Sequence, residues 1–428
     1  MSWSFVKMDE IKRPEKYSLV GGPFGSNLSR KHYVNSGVPV IRGVNLPDGE
    51  RFSFKDFVWV TEEKADQLKQ NTAYPGDIIF TQRGTLGQVG VIPKDSPYRR
   101  YVISQSQMKL SVNEKKADII YVYYLFSSTK YKSLIKNLSI TSGVPHINLG
   151  ILKNIEIPLP PLEIQKRIAK TLSIYDDLIE INRRRIQLLE ESARLLYKEW
   201  FVHLRFPGHE HTKITKGIPE GWEEATLGDF ISIKHGYAFK GEFFDDNKSS
   251  RILMTPGNFD IGGGIKLEKF KYYSDEGPLE ADYVLKEDDL VVTMTDLSKT
   301  SDTLGYSALI PSFNGKEFLH NQRIGRVFPI ESRYFPKYFL YHFLQDHRYK
   351  SFVVGSASGT SVKHTSPKKI LSYKTNLPRF ETSNIIKQFD DFAFKTFSSI
   401  KNLIQQNQKL TQARDLLLPR LMNGEITI

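Results

Sequence analysis

PLPPLEIQKRIAKTL, residues 158–172, ends a strand, breaks the chain and opens a helix within a single turn's length. Pro160 and Pro161 lack the N–H that a ladder needs, and each steers the residue before it away from helix. Apolar residues then recur at helical spacing. A weaker version, TNLPRFETSNIIKQF, stands at residues 375–389, about half a chain later. The same strand-to-helix move at corresponding points of two halves predicts a tandem duplication.

The landmarks between these junctions repeat in order. WSFVKMDEI (Trp3, Asp9) is answered by WEEATLGDFI (Trp222, Asp229), and GGPFGSNL from Gly21 by HGYAFKGEF from His235. GDIIFT (Gly76–Thr81) matches DDLVVT (Asp288–Thr293), and VIP at Val91 matches LIP at Leu309. SQSQ (Ser104–Gln107) sits where LHNQR (Leu319–Arg323) sits, YVYYLF at Tyr121 answers YFLYHF at Tyr338, and TSGVPHINL at Thr141 answers ASGTSVKHT at Ala357. Each copy is roughly 200 residues, well above the 20–50 of a solenoid unit. The predicted fold class is α+β: two mixed domains of short strands and loops, each followed by a long helix. The boundaries read as 1–155 (first domain), 156–202 (first helix), 203–222 (linker), 223–378 (second domain), 379–423 (second helix) and 424–428 (tail).

The first helical stripe runs Ile164, Ile168, Leu172, Tyr175, Leu178, Asn182, Ile186, Leu189, Ala193, Leu196 and Trp200, with no internal Pro or Gly. A helix of that length spans roughly 50 Å at 1.5 Å per residue. The second runs Ile386, Phe389, Phe392, Phe397, Ile400, Leu403, Asn407, Leu410, Arg414 and Leu417, and from Ile400 its spacing alternates 3 and 4, the seam of a coiled coil. Two such stripes most simply bury each other as an antiparallel pair. Asn182 and Asn407 either fix the register of that pair or point to solvent at its edge. Charges on the first helix are nearly balanced, so it reads as a spacer or partner surface.

Among 428 residues, 39% are apolar and none is Cys, which excludes disulfides, thiolate metal sites and cysteine nucleophiles. No run of eighteen apolar residues marks a membrane span, and the first residues lack a signal peptide's apolar core, so a cytoplasmic protein without a membrane partner is expected. Lys and Arg outnumber Asp and Glu by 60 to 48, with a pI near 9.3. That balance favours an anionic partner, nucleic acid first.

The positive charge is concentrated. Residues 119–155 hold no Asp or Glu but do hold Lys130, Lys132, Lys136, Lys153 and His146. Residues 347–380 are also free of acid and carry Arg348, Lys350, Lys363, Lys368, Lys369, Lys374 and Arg379. Both segments surround a Ser-Gly loop, Ser142-Gly143 and Ser358-Gly359, where backbone N–H groups can approach a phosphate. The bland alternative is a solvated face that keeps the chain soluble. Base reading needs hydrogen-bonding side chains on loops at a groove edge, since Arg suits guanine and Asn or Gln suits adenine. The candidates are Thr81, Gln82, Arg83 and the run Ser104, Gln105, Ser106 and Gln107 in the first copy, and Asn321, Gln322, Arg323, Lys299 and His364 in the second. For each alone, a surface position without base contact is the plain alternative.

Catalytic signatures are missing. There is no Walker lysine loop, Gly84, Gly87 and Gly90 make no dinucleotide fingerprint, and no amino-methyltransferase tetrapeptide occurs. His203, His209 and His211 lie in a Gly- and Pro-bearing connector, so no metal site is expected. Pro47-Asp48 with Glu62-Glu63-Lys64 satisfies a loose nuclease pattern. VTEEKADQL there also reads as a helix start with Thr61 as N-cap, and that reading is preferred.

Three stretches carry a resemblance: IPLPPLEIQKRIAKTLSIYDDLIEINRRRIQLLEESARLLYKEWF at 157–201, FVHLRFPGHE at 201–210 and LLLPRLMNGEI at 416–426. With them, the chain resembles the specificity subunit of a type I restriction–modification system over essentially its whole length. The resemblance implies two target recognition domains, each followed by a helix, with the helices paired antiparallel in a pseudo-twofold arrangement. It implies a subunit without its own active site that reads a split, asymmetric site on double-stranded DNA, one half per domain. Two methyltransferase subunits and motor-nuclease subunits are the implied partners, with S-adenosylmethionine, ATP and Mg²⁺ held by those partners and no cofactor in this chain. Helix-pair or partner contacts are expected at Leu172, Leu178, Asn182, Leu189, Leu196, Trp200, Ile400, Leu403, Asn407, Leu410 and Leu417. The second junction has lost the Pro-Pro-Leu and Gln of the first. A self-sufficient nuclease or methyltransferase, or a scaffold without DNA contact, is the alternative.

Overall fold

The computed structural model describes every residue except 1–2, 142, 246–248, 268, 297, 299, 331–333, 361, 381–382 and 427–428. It comprises two compact units, residues 1–185 with 402–428, and residues 186–401. Its helices are α1 (Glu62–Gln67), α2 (Ile119–Ser127), α3 (Thr129–Asn137), α4 (Leu149–Asn154), α5 (Leu162–Tyr197), α6 (Lys337–Phe343), α7 (His347–Gly355), α8 (Pro367–Leu371) and α9 (Asn384–Met422). A π-helical turn, Lys198–Val202, ends α5.

In the first unit, Leu19–Gly21, Gln107–Leu110, Ile78–Thr81 and Val89–Val91 form an antiparallel sheet in that order. A second sheet runs Val58–Val60, Val38–Ile41, Tyr101–Ile103 and Thr72–Ala73, its central pair parallel. Ser4–Lys7 pairs with Glu156–Leu159, the strand that ends at Pro160. The second unit repeats the plan. Ile231–His235, Ile324–Pro329, Leu290–Thr293 and Ser307–Leu309 form one sheet, and Trp222–Thr226 pairs with Lys374–Pro378. The other sheet has Arg251–Met254 parallel to Glu317–His320, with Lys271–Tyr273 and Val284–Leu285 flanking them and Phe244–Asp245 added at the edge.

The duplication reaches the ion pairs of the sheets. Lys109, opposite Ile79, donates to Asp77 at 3.4 Å, and Arg326, opposite Val291, donates to Asp289 at 2.9 Å. Both acids stand two residues before the strand position that faces their base. A shared register for an ion pair, buried in the first copy and half-buried in the second, is what two copies of one backbone produce.

Within the first unit, α5 and α9 run antiparallel. Leu172 packs in the core with Leu418, Leu421 and Met422, and Arg414 donates to Asp176 at 2.5 Å. Further along, Asn182 Nδ2 donates to Asn407 Oδ1 at 3.0 Å and Gln406 Oε1 at 3.4 Å, while Asn407 Nδ2 donates to the Ile179 carbonyl at 3.5 Å. Asn182 is 6% exposed, so it is a helix-pair residue and not a solvent-edge one. Leu403, Leu410 and Leu417 are half-buried. In the second unit, Tyr197, Phe201 and Trp200 of the α5 end pack against Phe389 of α9 at ring separations of 5.9, 5.5 and 6.2 Å. There Ile400 is buried, and Leu189 and Leu196 are half-buried.

Two positions of the apolar stripes depart from expectation. Leu178 is 43% exposed, and Ile179 takes the buried place; Phe392 is exposed, and Ala393 is buried. For Leu178 the reason is that α5 carries apolar residues on two faces. Ile174, Leu178 and Ile181 form an outer row, so one apolar residue per turn does not say which row meets the partner helix.

Each junction is locked by a buried polar side chain. Gln165 accepts from the Asp118 N–H at 2.9 Å and donates to the carbonyls of Pro160 at 2.8 Å and Lys116 at 3.4 Å. The second copy lacks this glutamine. Asp390 of α9 serves instead, accepting from the N–H groups of Tyr338 and Phe339 at 2.8 and 2.9 Å at the start of α6. Burial lifts the Asp390 carboxyl to about 6, outweighing the amide donors that pull it down. With the folded value raised, Asp390 contributes fully below the ordinary carboxylate range, and that contribution is lost as pH rises through about 6. Asp390→Asn is therefore expected to match the native chain near pH 4 and to exceed its stability by about 2–3 kcal/mol at pH 7. Denaturant melts at the two pH values check this; equal differences at both would refute it.

Candidate nucleic-acid interface

In the first unit, the loops that leave the Ile78–Thr81 sheet at one end are tied into a lattice. The Gln82 N–H donates to the Ser106 carbonyl at 2.8 Å, the Ile147 N–H to the Gln82 carbonyl at 2.9 Å, and the Gly22 N–H to the Gln107 carbonyl at 2.8 Å. Arg83 bridges to His146, and Ile140 and His146 exchange backbone bonds at 2.8 and 3.2 Å. Gly22 has to be glycine, because a Cβ there would lie on the Ser104 carbonyl oxygen.

The second unit repeats the lattice atom for atom along the backbone. The Met294 N–H donates to the Arg323 carbonyl at 2.9 Å, the Thr365 N–H to the Met294 carbonyl at 2.9 Å, and the Gly236 N–H to the Ile324 carbonyl at 3.3 Å. Ser358 and His364 exchange bonds at 2.9 Å, and a Cβ on Gly236 would meet the Asn321 carbonyl oxygen. The backbone is copied, whereas its side chains are not. Gln82 becomes Met294, Arg83 becomes Thr295, Ser106 becomes Arg323, and only His146 is matched by a histidine, His364.

Of the expected base readers, Arg83 and Gln105 are exposed and Gln82 and His146 half-buried in the first unit; Gln322, Arg323 and His364 are exposed and Asn321 half-buried in the second. Two candidates are corrected. Thr81 is 2% and Gln107 0% exposed, so neither reaches a base edge; both end strands beneath the loops. Strand ends and loop tips look alike in a short polar run. Lys130 is exposed on the first turn of α3, and among the described residues no hydrogen bond joins its side chain to the loop lattice. Lys363 is half-buried opposite Asp296. Ser142 and Lys299 lie outside the described residues.

The Ser-Gly loops also need correction. Ile140 and Ser358 are the equivalent positions, each six residues before the histidine that closes its hairpin. Gly143 therefore sits at its hairpin's tip, whereas Ser358 stands on a leg and spends its N–H on His364. Gly359 follows it in the left-handed region, with its Cβ position against the Val362 carbonyl.

One basic segment escaped the sequence reading. Residues 16–47 contain no Asp or Glu, and within them Arg30 and Lys31 are exposed with no ion pair among the described residues. A search for acid-free stretches would have found it. In the second unit, Lys350 supports the loop that follows Thr295. It donates to the carbonyls of Ser301, Asp302 and Leu304 at 2.8, 3.0 and 2.9 Å, and burial pushes its ammonium down to about 8.

The nuclease-like pattern is scattered among structural contacts. Thr61 caps α1 by accepting from the Lys64 N–H at 3.1 Å, Asp48 pairs with Lys132 at 2.7 Å, and Glu62 pairs with Arg100. Among the described residues, no group of three or more His, Cys, Asp or Glu could hold a metal ion, and no helix is long and apolar enough to cross a membrane.

A duplicated mixed domain, each copy with its own tip chemistry and each packed on two long helices, defines a class of two-headed recognition protein. Residues 25–191 and 219–412 match the family described as Type I restriction modification DNA specificity domain, and the chain belongs to that family. It is 28% identical over 341 residues to the type I restriction enzyme MjaVIII specificity subunit of Methanocaldococcus jannaschii, covering 77% of this chain and 75% of that one. To the MjaIX specificity subunit of the same organism it is 25% identical over 434 residues, covering 98% and 94%. In fold it is similar to the crystal structure of a type I restriction–modification S subunit from M. genitalium, at TM-score 0.55 and 17% identity over 98% of this chain and 96% of that one.

Proposed function

We propose that this chain is a non-catalytic, cytoplasmic DNA reader that recognises a split, asymmetric site, one half per domain, and recruits methyltransferase and motor-nuclease subunits. The observation that carries the reading is the repeated backbone lattice with changed side chains. One scaffold holds Gln82, Arg83 and Gln105 in one copy and Gln322, Arg323 and His364 in the other, as two different half-sites require. Arg and Gln side chains on rigid loops suit guanine and adenine edges in the major groove. Lys130, Lys363, Arg30 and Lys31 would supply phosphate affinity that is independent of sequence and falls steeply with salt. Chemistry that needs S-adenosylmethionine, ATP or Mg²⁺ would belong to the partners.

The deciding experiment is a map of modified adenines in the source cell with and without this gene. Loss of one split motif supports the reading; an unchanged map in a cell with active partners sinks it. Arg83→Ala and Arg323→Ala are each expected to cost about 1–3 kcal/mol in binding and to relax one position in opposite halves of the site. Fluorescence anisotropy on the mapped duplex and its single-base variants measures both effects. Ile174, Leu178 and Ile181 form an exposed apolar row on α5 in the first unit, and we infer that this row docks a methyltransferase subunit. Leu178→Glu should abolish co-purification of that subunit while leaving the melting temperature within a few degrees, because the side chain is already exposed.

A further inference from the structure

Phe24 is 88% exposed, the most exposed of the large apolar side chains among the described residues. Holding a phenylalanine in water forgoes the roughly 1.5–3 kcal/mol that burying it would contribute. Its loop is nonetheless pinned on both sides. Before it, buried Asn71 donates to the Gly21 carbonyl at 2.7 Å, and Gly22 is fixed against the Ser104 backbone. After it, the Gln105 amide donates to the carbonyls of Gly25 and, at 3.2 Å, Leu28, and Leu28 is buried. The ring is therefore held out by a braced loop, not left out by a loose one.

The brace is part of the candidate interface. Gln82 Nε2 donates to the Gln105 carbonyl at 2.5 Å, so the Phe24 loop and the base-reading loops are fixed to one another. Exposed and cationic, Arg30 and Lys31 follow within the same acid-free segment of the chain, a charge that suits a phosphate backbone. The second copy keeps the blocked glycine, Gly236, but two residues later it carries Ala238 where the first copy carries Phe24. The aromatic tip thus belongs to one reader only.

We propose that Phe24 is a specificity-determining residue that makes apolar contact with a thymine methyl group in the major groove of the first half-site. The inference rests on the DNA-reader reading above. Gln82, Gln105 and Arg83 address major-groove edges, and in that groove the thymine C5-methyl is the apolar feature available to a neighbouring ring.

The test uses the full-length chain, alone and with the methyltransferase subunit it recruits, against duplexes randomised over the recognition window. The native chain should enrich a split motif. Phe24→Ala should enrich the same motif with one thymine in one half relaxed, and Phe24→Leu should largely restore that preference. Replacing that thymine by uracil should weaken native binding about fourfold, the worth of one buried methyl group, and leave Phe24→Ala binding unchanged. An unaltered motif and affinity for Phe24→Ala would overturn the proposal. So would loss of the methyltransferase complex without a change of motif, which would make Phe24 a protein contact. A native rise in 2-aminopurine fluorescence at the adjacent step that Phe24→Ala abolishes would mean that the ring wedges between bases instead. If the native chain enriches no motif in either form, the reader reading itself fails and this inference with it.

Discussion

Lys109→Ala is expected to cost the first unit about 3–5 kcal/mol, a large share of the 5–15 kcal/mol that holds a typical domain together. The side chains of Lys109 and Asp77 are each 5% exposed, so removing the ammonium leaves a carboxylate in a site that water does not reach. Asp77 keeps two donors, the Tyr74 N–H at 2.9 Å and the Ser111 hydroxyl at 2.5 Å, which offset part of the loss but not the charge. Removing both partners, as in Lys109→Met with Asp77→Leu, should not restore full stability, because those two donors would then lack an acceptor. The matching change in the second unit, Arg326→Ala, should cost less, since Arg326 and Asp289 are less deeply buried. Urea unfolding of each variant gives the numbers. A loss below about 1 kcal/mol at Lys109 would mean that the carboxylate takes up a proton or a water, and the buried-charge account would fail.

Much of the fold was legible because the duplication supplies an internal comparison. A Leu-Pro junction, a buried strand and an aromatic helix in the same order twice cannot all be accidents of composition. The antiparallel pairing of the helices followed from two long stripes in one chain, and Asn182 meets Asn407 because a polar side chain inside such a seam finds its best partner across it. What failed has a common cause. Thr81 and Gln107 were chosen by residue type, but a polar residue at the last position of one strand or the first of its neighbour faces whichever side the two-residue alternation dictates. Leu178 was placed by spacing on the stripe between the helices, but α5 carries two apolar rows and Leu178 lies on the outer one, which leaves it the partner half of its expected role. The Ser-Gly dipeptides matched as letters, yet hairpin geometry places them two residues apart. Phe24 was invisible for the opposite reason. Between Pro23 and Gly25 it stood only as part of a landmark loop, and the bracing by Gln105 and Asn71 is what shows that its exposure is built in.

Exchanging residues 1–155 for the first half of another specificity subunit is expected to change one half of the recognised site completely and leave the other half intact. The structure says what the graft must bring. Beside the apolar core that Ile168, Leu172, Leu418 and Leu421 share with the first domain, a few polar side chains tie that domain to the helices. Arg51 donates to Asp177 at 2.8 Å and to the Ser173 carbonyl at 3.1 Å, and the Tyr124 hydroxyl donates to Asp176 at 2.7 Å. The Asp118 N–H, meanwhile, docks on Gln165. A graft with a basic residue at the place of Arg51 and a hydroxyl at the place of Tyr124 meets Asp176 and Asp177 as the native domain does. One that lacks them leaves Asp176 to Arg414 alone, and the chimera should lose stability by about 1–3 kcal/mol while still reading its new half-site. A map of modified adenines made with each chimera separates the two effects, because specificity is read from the motif and stability from the fraction of sites modified. Two altered halves, or none, would mean that the two domains do not read independently. One altered half would mean that each domain, carrying its own side chains on the copied lattice, chooses the bases of its own half-site.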